Sequence, residues 1–189
     1  MEEIEVKFLD INTESLIKKL EKLGAKRIFE RLYRRRVFDY PDLRLDDNYS
    51  WVRLRDEGDQ ITLAFKQRIK PGEKGENDQT MHESEIIVSD FEETTNILIN
   101  IGLIEKSYQE NKRIRYVLDD IEFDIDFWPQ VPPYLEIEAE SWEKVEEAIK
   151  LLELNSEDKK IYSTYQVYDV YNIKMKDYKR ITFEEMILK

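Results

Sequence analysis

The sequence predicts an α+β fold, a strand-rich antiparallel sheet with amphipathic helices packed on it. Three observations predict it. Eight short segments alternate apolar and polar residues with a period of two, which puts the two kinds on opposite faces of a strand. Three of them are followed by a helix-start signal and a helical apolar stripe. Turn residues separate many neighbouring strands by only a few positions.

The first strand, 2–9, places Ile4, Val6 and Phe8 on one face and Glu3, Glu5 and Lys7 on the other. Asn12 and Thr13 then open a helix carrying Leu16, Ile17, Leu20 and Leu23, which ends at Gly24. The strand at 32–40 is basic; Arg35 points away from Arg34 and Arg36, so the three cannot share a face. A loop with Pro41-Asp42 and Asp46-Asp47-Asn48 leads to strands 50–56 and 60–69, joined at Glu57-Gly58-Asp59. Trp51, Arg53 and Arg55 share one side of the former; Lys66 and Arg68 share a side with Thr62 and Ala64 in the latter. A polar excursion from Lys70 to Thr80 follows. Strand 82–89 carries Glu83 and Glu85, and Asp90 with Glu93 three residues on is a capping box for a helix ending at Gly102.

Strands 110–118 and 120–127 meet at Asp119-Asp120. Arg113 and Arg115 share a side of the first. In the second, Glu122, Asp124 and Asp126 oppose Ile121, Phe123, Ile125 and Phe127. Pro129, Pro132 and Pro133 bend the chain before strand 134–140, which carries Glu136, Glu138 and Glu140. Ser141 opens a helix with Val145, Ala148, Ile149 and Leu152. Thr182-Phe183-Glu184-Glu185 reads as a capping box opening a short C-terminal helix. Acidic strand, helix and basic stretch recur three times, a loose repeat.

Bulk properties narrow the function. The chain has 189 residues, 41% hydrophobic and 38% charged, with a formal net charge of −12. No linker marks a second domain, so one domain over 1–189 is expected. Strong acidity argues against nucleic-acid and anionic-membrane partners. There are no cysteines, which excludes disulfides and thiol chemistry. No apolar run approaches the length of a membrane span and no signal-peptide core opens the chain, so a cytoplasmic location is expected. With His82 as the one histidine, a metal site would use oxygen ligands, favouring Mg2+ or Mn2+.

Two folds use strands with one apolar and one charged face. In one, the charged face is solvated. In the other, the sheet closes into an eight-stranded barrel with the charges inside and helices covering the apolar outside. Enclosed charges are costly unless paired or ligated. A divalent cation relieves clustered carboxylates, and a polyanion does the same for clustered Arg and Lys. The enclosed arrangement therefore makes sense as a site for a metal-bound polyphosphate.

The motifs resemble the CYTH superfamily, the triphosphate tunnel metalloenzymes, over roughly residues 1–175. Glu3-x-Glu5-x-Lys7 is similar to its N-terminal signature, and Trp51-Val52-Arg53-Leu54-Arg55 to its paired-arginine strand. Ile61-Thr62-Leu63-Ala64-Phe65-Lys66 resembles its lysine strand, Glu83-x-Glu85 its second acidic pair, and Asp126 with Glu136-Ile137-Glu138 its late acidic constellation. The resemblance implies an eight-stranded antiparallel closed β-barrel, the triphosphate tunnel, with helices outside. It implies phosphate contacts from Lys7, Arg53, Arg55, Lys66, Arg113 and Arg115, and metal ligands among Glu3, Glu5, Glu83, Glu85, Asp126, Glu136 and Glu138. Glu5, Lys7 and Glu85 are the expected catalytic residues, and Mg2+ or Mn2+ the cofactor. The expected activity is hydrolysis of a triphosphate: inorganic tripolyphosphate, thiamine triphosphate or a nucleoside triphosphate. The alternatives are a class IV-type adenylyl cyclase and a non-catalytic polyphosphate or nucleotide binder. The partner expected is a small-molecule triphosphate, with a homodimer left open. His82 reads as an exposed or satisfied histidine rather than a base. Tyr162, Tyr165, Tyr168 and Tyr171 read as a packed stripe, and Lys159, Lys160 and Ser163 as a solvated turn.

Overall fold

The computed structural model describes residues 4–68 and 81–189, without the side chain of Met81; Glu3 and the excursion at 70–80 lie outside the described residues. The chain folds into two compact units: Met1–Leu32 with Asn111–Asp177, and Tyr33–Glu110 with Tyr178–Lys189. Two long strands, β2 (Lys26–Asp39) and β6 (Ile104–Leu118), give one part of their length to each unit.

In the first unit, β1 (Ile4–Phe8), β8 (Tyr134–Ala139), β7 (Ile121–Phe127) and β6 lie side by side in that order, every pair antiparallel. Val6, Phe8, Ile114, Tyr116, Phe123, Ile125, Leu135 and Ile137 occupy alternate positions and share one buried core. Helix α1 (Thr13–Lys22) adds Leu16 and Leu20, and α4 (Trp142–Leu151) adds Val145, Ala148 and Ile149. Each such burial contributes about 1.5–3 kcal/mol for a large aliphatic side chain. The helix-start signals act as read. Asn12 and Ser141 accept from the amides of Ser15 (2.9 Å) and Lys144 (3.3 Å). At the end of α1, Gly24 takes φ +86°; its amide reaches Glu21 O and that of Ala25 reaches Leu20 O, both at 3.0 Å. This double bond satisfies carbonyls the helix leaves unpaired, and a glycine reaches the left-handed region without a Cβ penalty. Helix α5 (Thr164–Val170) opens at Ser163 with a capping box.

In the second unit, β3 (Ser50–Asp56) pairs with β2 and with β4 (Ile61–Arg68), and β4 with β5 (Met81–Val88), all antiparallel. Helix α3 (Phe91–Asn100) packs Phe91 and Leu98 onto Phe38, Leu54, Leu103 and Tyr108. Its cap Asp90 accepts from Glu93 N at 2.8 Å. One short turn of helix, α2 (Arg44–Asp47), sits beside buried Asp39, which accepts from the amides of Tyr40, Leu45 and Asp46.

The α+β class, the antiparallel sheet and the packed helices agree with expectation, and all eight expected strands are present. The short C-terminal helix is not. Residues 182–185 form the turn of a hairpin between β9 (Tyr178–Ile181) and β10 (Met186–Leu188), and β9 runs parallel to β6 at Tyr108 and Gln109. Thr182 Oγ1 accepts from Glu185 N at 3.1 Å, the bond a capping box also uses, but Thr182 N returns to Glu185 O at 2.9 Å and closes a tight turn instead. No described helix is long and apolar enough to cross a membrane.

Candidate functional site

In the first unit, the polar face of the sheet is built row by row from the strand register. Arg113 faces Asp126, which faces Tyr134. The next row runs Arg115, Asp124, Glu136, Lys7, and the one after it Val117, Glu122, Glu138, Glu5. Period-two alternation puts all of these opposite the apolar core, so the core fixes where the charges point. The charges of the first two rows are shielded from solvent, whereas Glu5 and Glu122 in the third are partly exposed. Asp124 and Asp126 are 1% exposed, Lys7 3% and Glu136 6%.

Buried charge on this scale requires pairing, and the pairing is dense. Arg113 donates to Asp126 through Nε (2.8 Å) and Nη2 (2.7 Å), to Asp124 through Nη1 (2.6 Å) and to Glu136 through Nη2 (3.0 Å). Arg115 grips both oxygens of Asp124 at 2.7 and 2.6 Å and meets Glu122 at 2.6 Å. Lys7 contacts Glu136 at 2.9 Å and also Glu5. Burial pushes the Glu136 carboxyl up, but Arg113 and Lys7 outweigh it and hold it at about 2. Burial raises Asp126 against the pull of Arg113. Burial works against the Arg113 charge too, and Asp126, Glu136 and Asp124 overcome it, raising its pKa far above the ordinary value.

Among the described residues of β1, β6, β7 and β8, the six carboxylates Glu5, Glu122, Asp124, Asp126, Glu136 and Glu138 outnumber the cations Lys7, Arg113 and Arg115 on this face. Glu122, Glu138 and Glu5 lie directly across from one another, an unfavourable arrangement for like charges. Among the described residues, Glu122, Asp124 and Glu138 bring carboxylate oxygens within 4.8 Å of one another. An all-oxygen donor set with excess negative charge fits a hard divalent cation.

The second unit has its own ionic face. Arg53 lies between Val37 and Ala64 in register, Lys66 faces Glu83, and Arg35 faces Arg55. Arg53 donates to Glu85 at 3.0 Å and to Glu83 at 3.3 Å; Lys66 meets Glu83 at 2.8 Å, and Arg55 pairs with Glu57. Burial and the neighbouring Arg55 push the Arg53 pKa down, and burial and Arg53 do the same to Lys66. Crowded cations of this kind favour an anionic ligand.

The expected residues therefore fall into two groups: Glu5, Lys7, Arg113, Arg115, Asp126, Glu136 and Glu138 in the first unit, Arg53, Arg55, Lys66, Glu83 and Glu85 in the second. Glu3 lies outside the described residues. Glu122 and Asp124 were not among the expected ligands, although alternation already set them beside Asp126. Of Arg34, Arg35 and Arg36 in β2, Arg35 takes the ionic face, while Arg36 lies over Phe91 (4.8 Å) and pairs with Glu92. His82 is exposed. The tyrosines do not form one stripe: Tyr168 is buried and donates to Pro129 O at 2.7 Å, whereas Tyr165 is exposed. The turn at 159–163 is partly exposed and also tied down. Lys160 exchanges two backbone hydrogen bonds with Lys7, at 2.8 and 2.9 Å, and Lys159 pairs with Glu146.

An antiparallel sheet with paired acids and bases on one face and a helix-covered core on the other defines the chain as an α+β protein with an ionic sheet face. The chain belongs to the CYTH domain family, whose model matches residues 1–164. A conserved hypothetical protein from Pyrococcus furiosus is similar in structure at TM-score 0.68 and 21% identity, covering 88% of this chain and 99% of that one. A candidate adenylate cyclase from Vibrio parahaemolyticus gives 0.70 at 13% identity, covering 88% and 97%. HpAC1 from Hippeastrum, a candidate adenylyl cyclase with a dominant triphosphatase activity, gives 0.60 at 15% identity, covering 93% and 98%. No curated protein matches the chain.

Proposed function

We propose that this protein is a metal-dependent hydrolase of a small-molecule triphosphate. The observation that carries the reading is the buried ionic face of the first unit, where carboxylates exceed cations and three of them converge. Glu122, Asp124 and Glu138 would hold Mg2+ or Mn2+. Bound there, the cation supplies charge neutralisation to the phosphate chain. Lys7 and Arg115 would contact phosphate oxygens in this unit. Arg53, Arg55 and Lys66, the crowded cations of the second unit, would also contact phosphate oxygens. Phosphoryl transfer asks for positioning and electrostatic stabilisation, which such a set provides. A water oxygen bonds to the terminal phosphorus and the bond to the bridging oxygen breaks. Orthophosphate and the shortened chain leave, and Glu5, partly exposed beside Lys7, takes the proton released from water. The triphosphatase activity named for the Hippeastrum neighbour supports this choice.

The Vibrio neighbour favours a second reading, cyclisation of ATP by attack of the ribose 3′-hydroxyl on the α-phosphorus with release of pyrophosphate. One incubation series separates the two. Tripolyphosphate, thiamine triphosphate and ATP are each incubated with Mg2+, with Mn2+ and with chelator, and phosphate, pyrophosphate and cyclic AMP are measured. Metal-dependent phosphate release without cyclic AMP is expected. Cyclic AMP with pyrophosphate overturns the hydrolase reading in favour of the cyclase, and binding without turnover overturns both.

A further inference from the structure

We infer that Arg113 is a positioning residue that, anchored by Asp126 and Glu136, fixes Asp124 for cation binding and does not itself hold phosphate. The inference rests on the metal-binding reading of the first unit. It runs against the expectation that both basic residues of this strand grip substrate.

The geometry carries it. A guanidinium has five N–H groups in a fixed fork. Four hydrogen bonds from Arg113, through all three of its nitrogens, end on carboxylates. Its partners are almost free of water. Turning the fork toward a phosphate would leave Asp126 and Glu136 buried without their main counter-charge. Asp126 is in turn committed to Arg113: Oδ1 takes Nε and the Asn111 amide (3.4 Å), and Oδ2 takes Nη2. Asp126 thus serves as the partner of Arg113, and the converging ligands are Glu122, Asp124 and Glu138.

Asp124 links the two roles. Its Oδ2 receives Arg113 Nη1 at 2.6 Å, so the guanidinium sets the orientation of a carboxylate that belongs to the converging trio. Arg115 differs. Its three nitrogens also meet carboxylates, the two oxygens of Asp124 and Glu122, but Glu122 is about one-third exposed, so one arm of that guanidinium lies at the accessible side of the face. Supporting groups behind metal ligands typically change metal affinity 10–100-fold when altered. A lysine keeps the charge of Arg113 but cannot reproduce a fork over three carboxylates.

The test is Arg113→Lys, read first by Mn2+ binding without substrate, using electron paramagnetic resonance of free Mn2+. Positioning predicts a Mn2+ Kd about ten-fold or more weaker than wild type. At saturating Mn2+, KM for tripolyphosphate should stay within about threefold of wild type while kcat falls. Unchanged Mn2+ affinity with a raised KM overturns the inference, since a lysine can serve as a point-charge phosphate contact. If the wild type binds Mn2+ and hydrolyses tripolyphosphate, the proposed function stands whichever way the variant behaves; absence of Mn2+ binding in the wild type overturns both readings. Should the variant not fold, the Arg113 Nε–H resonance of 15N-arginine-labelled wild type decides. It should not move when tripolyphosphate is added with chelator, and a shift on addition overturns the inference.

Discussion

Glu136 shows how a single buried acid is held ionised. Burial favours its neutral form, and only Arg113 at 3.0 Å and Lys7 at 2.9 Å together reverse that preference, to a pKa of about 2. A carboxyl whose pKa is lower folded than unfolded stabilises the fold above the unfolded value and stops doing so as pH falls through the folded one. Its contribution is complete above about pH 5, declines from the ordinary carboxyl value of 4.5, and is gone near pH 2. Asp126, raised by burial, acts in the opposite direction, so the net acid response mixes the two. Comparison with Glu136→Gln separates them. In urea denaturation between pH 2 and 5, wild-type stability should lose a few kcal/mol more than the variant does, on the order expected for a shift of this size. Equal slopes in the two proteins would contradict the pairing. The faces of these residues were legible in the sequence, because a period of two leaves no choice once Val6, Ile125 and Ile137 are assigned to the core. The partners were not: alternation says which side a charge takes, and only register says that Arg113 meets Asp126.

At the scale of elements, helix ends show both what was readable and what was not. Gly24 and Gly102 mark the ends of α1 and α3, and both take positive φ. Helix α4 ends in the same double hydrogen bond, from Glu153 N to Lys150 O and Leu154 N to Ile149 O, yet places Glu153 at φ +49°. A non-glycine residue there costs about 1–2 kcal/mol. Its compensation is a solvent-screened pair with Lys19. Glu153→Gly should therefore raise stability by about 0.5 kcal/mol after the greater freedom of glycine in the unfolded chain is allowed for; a lower midpoint in urea would refute the strain. The C-terminal hairpin escaped prediction because Thr182 and Glu185 suit a helix start and a tight turn equally. The choice between them is made by pairing of β9 with Tyr108 and Gln109, far away in sequence. The early parts of β2 and β6 escaped for a related reason: the exposed run from Lys26 to Ile28 carries no alternation to mark it as a strand.

At the scale of the whole molecule, a net charge of −12 and a row of facing glutamates would couple the proposed cation binding to stability. A ligand present at 100 times its Kd stabilises the folded state by about 2.7 kcal/mol. Saturating Mn2+ should raise the melting temperature of the chelator-treated protein by several degrees. Glu122→Gln removes one of the like charges. Because it also removes the partner of Arg115, the relief of repulsion and the lost ion pair offset each other without metal, and the variant should respond less to Mn2+. Differential scanning calorimetry with and without chelator measures both effects; a full Mn2+ response in the variant would remove Glu122 from the ligand set.

The placement of the outermost strands governs how the chain can be made. β1 waits for β8, some 130 positions later, and the second unit adds β9 and β10 from residues 178–188. Neither half of the molecule is therefore complete while its last strands are still inside the ribosome. Until those strands pair, a nascent polypeptide carries unpaired strand edges that chaperones would have reason to shield.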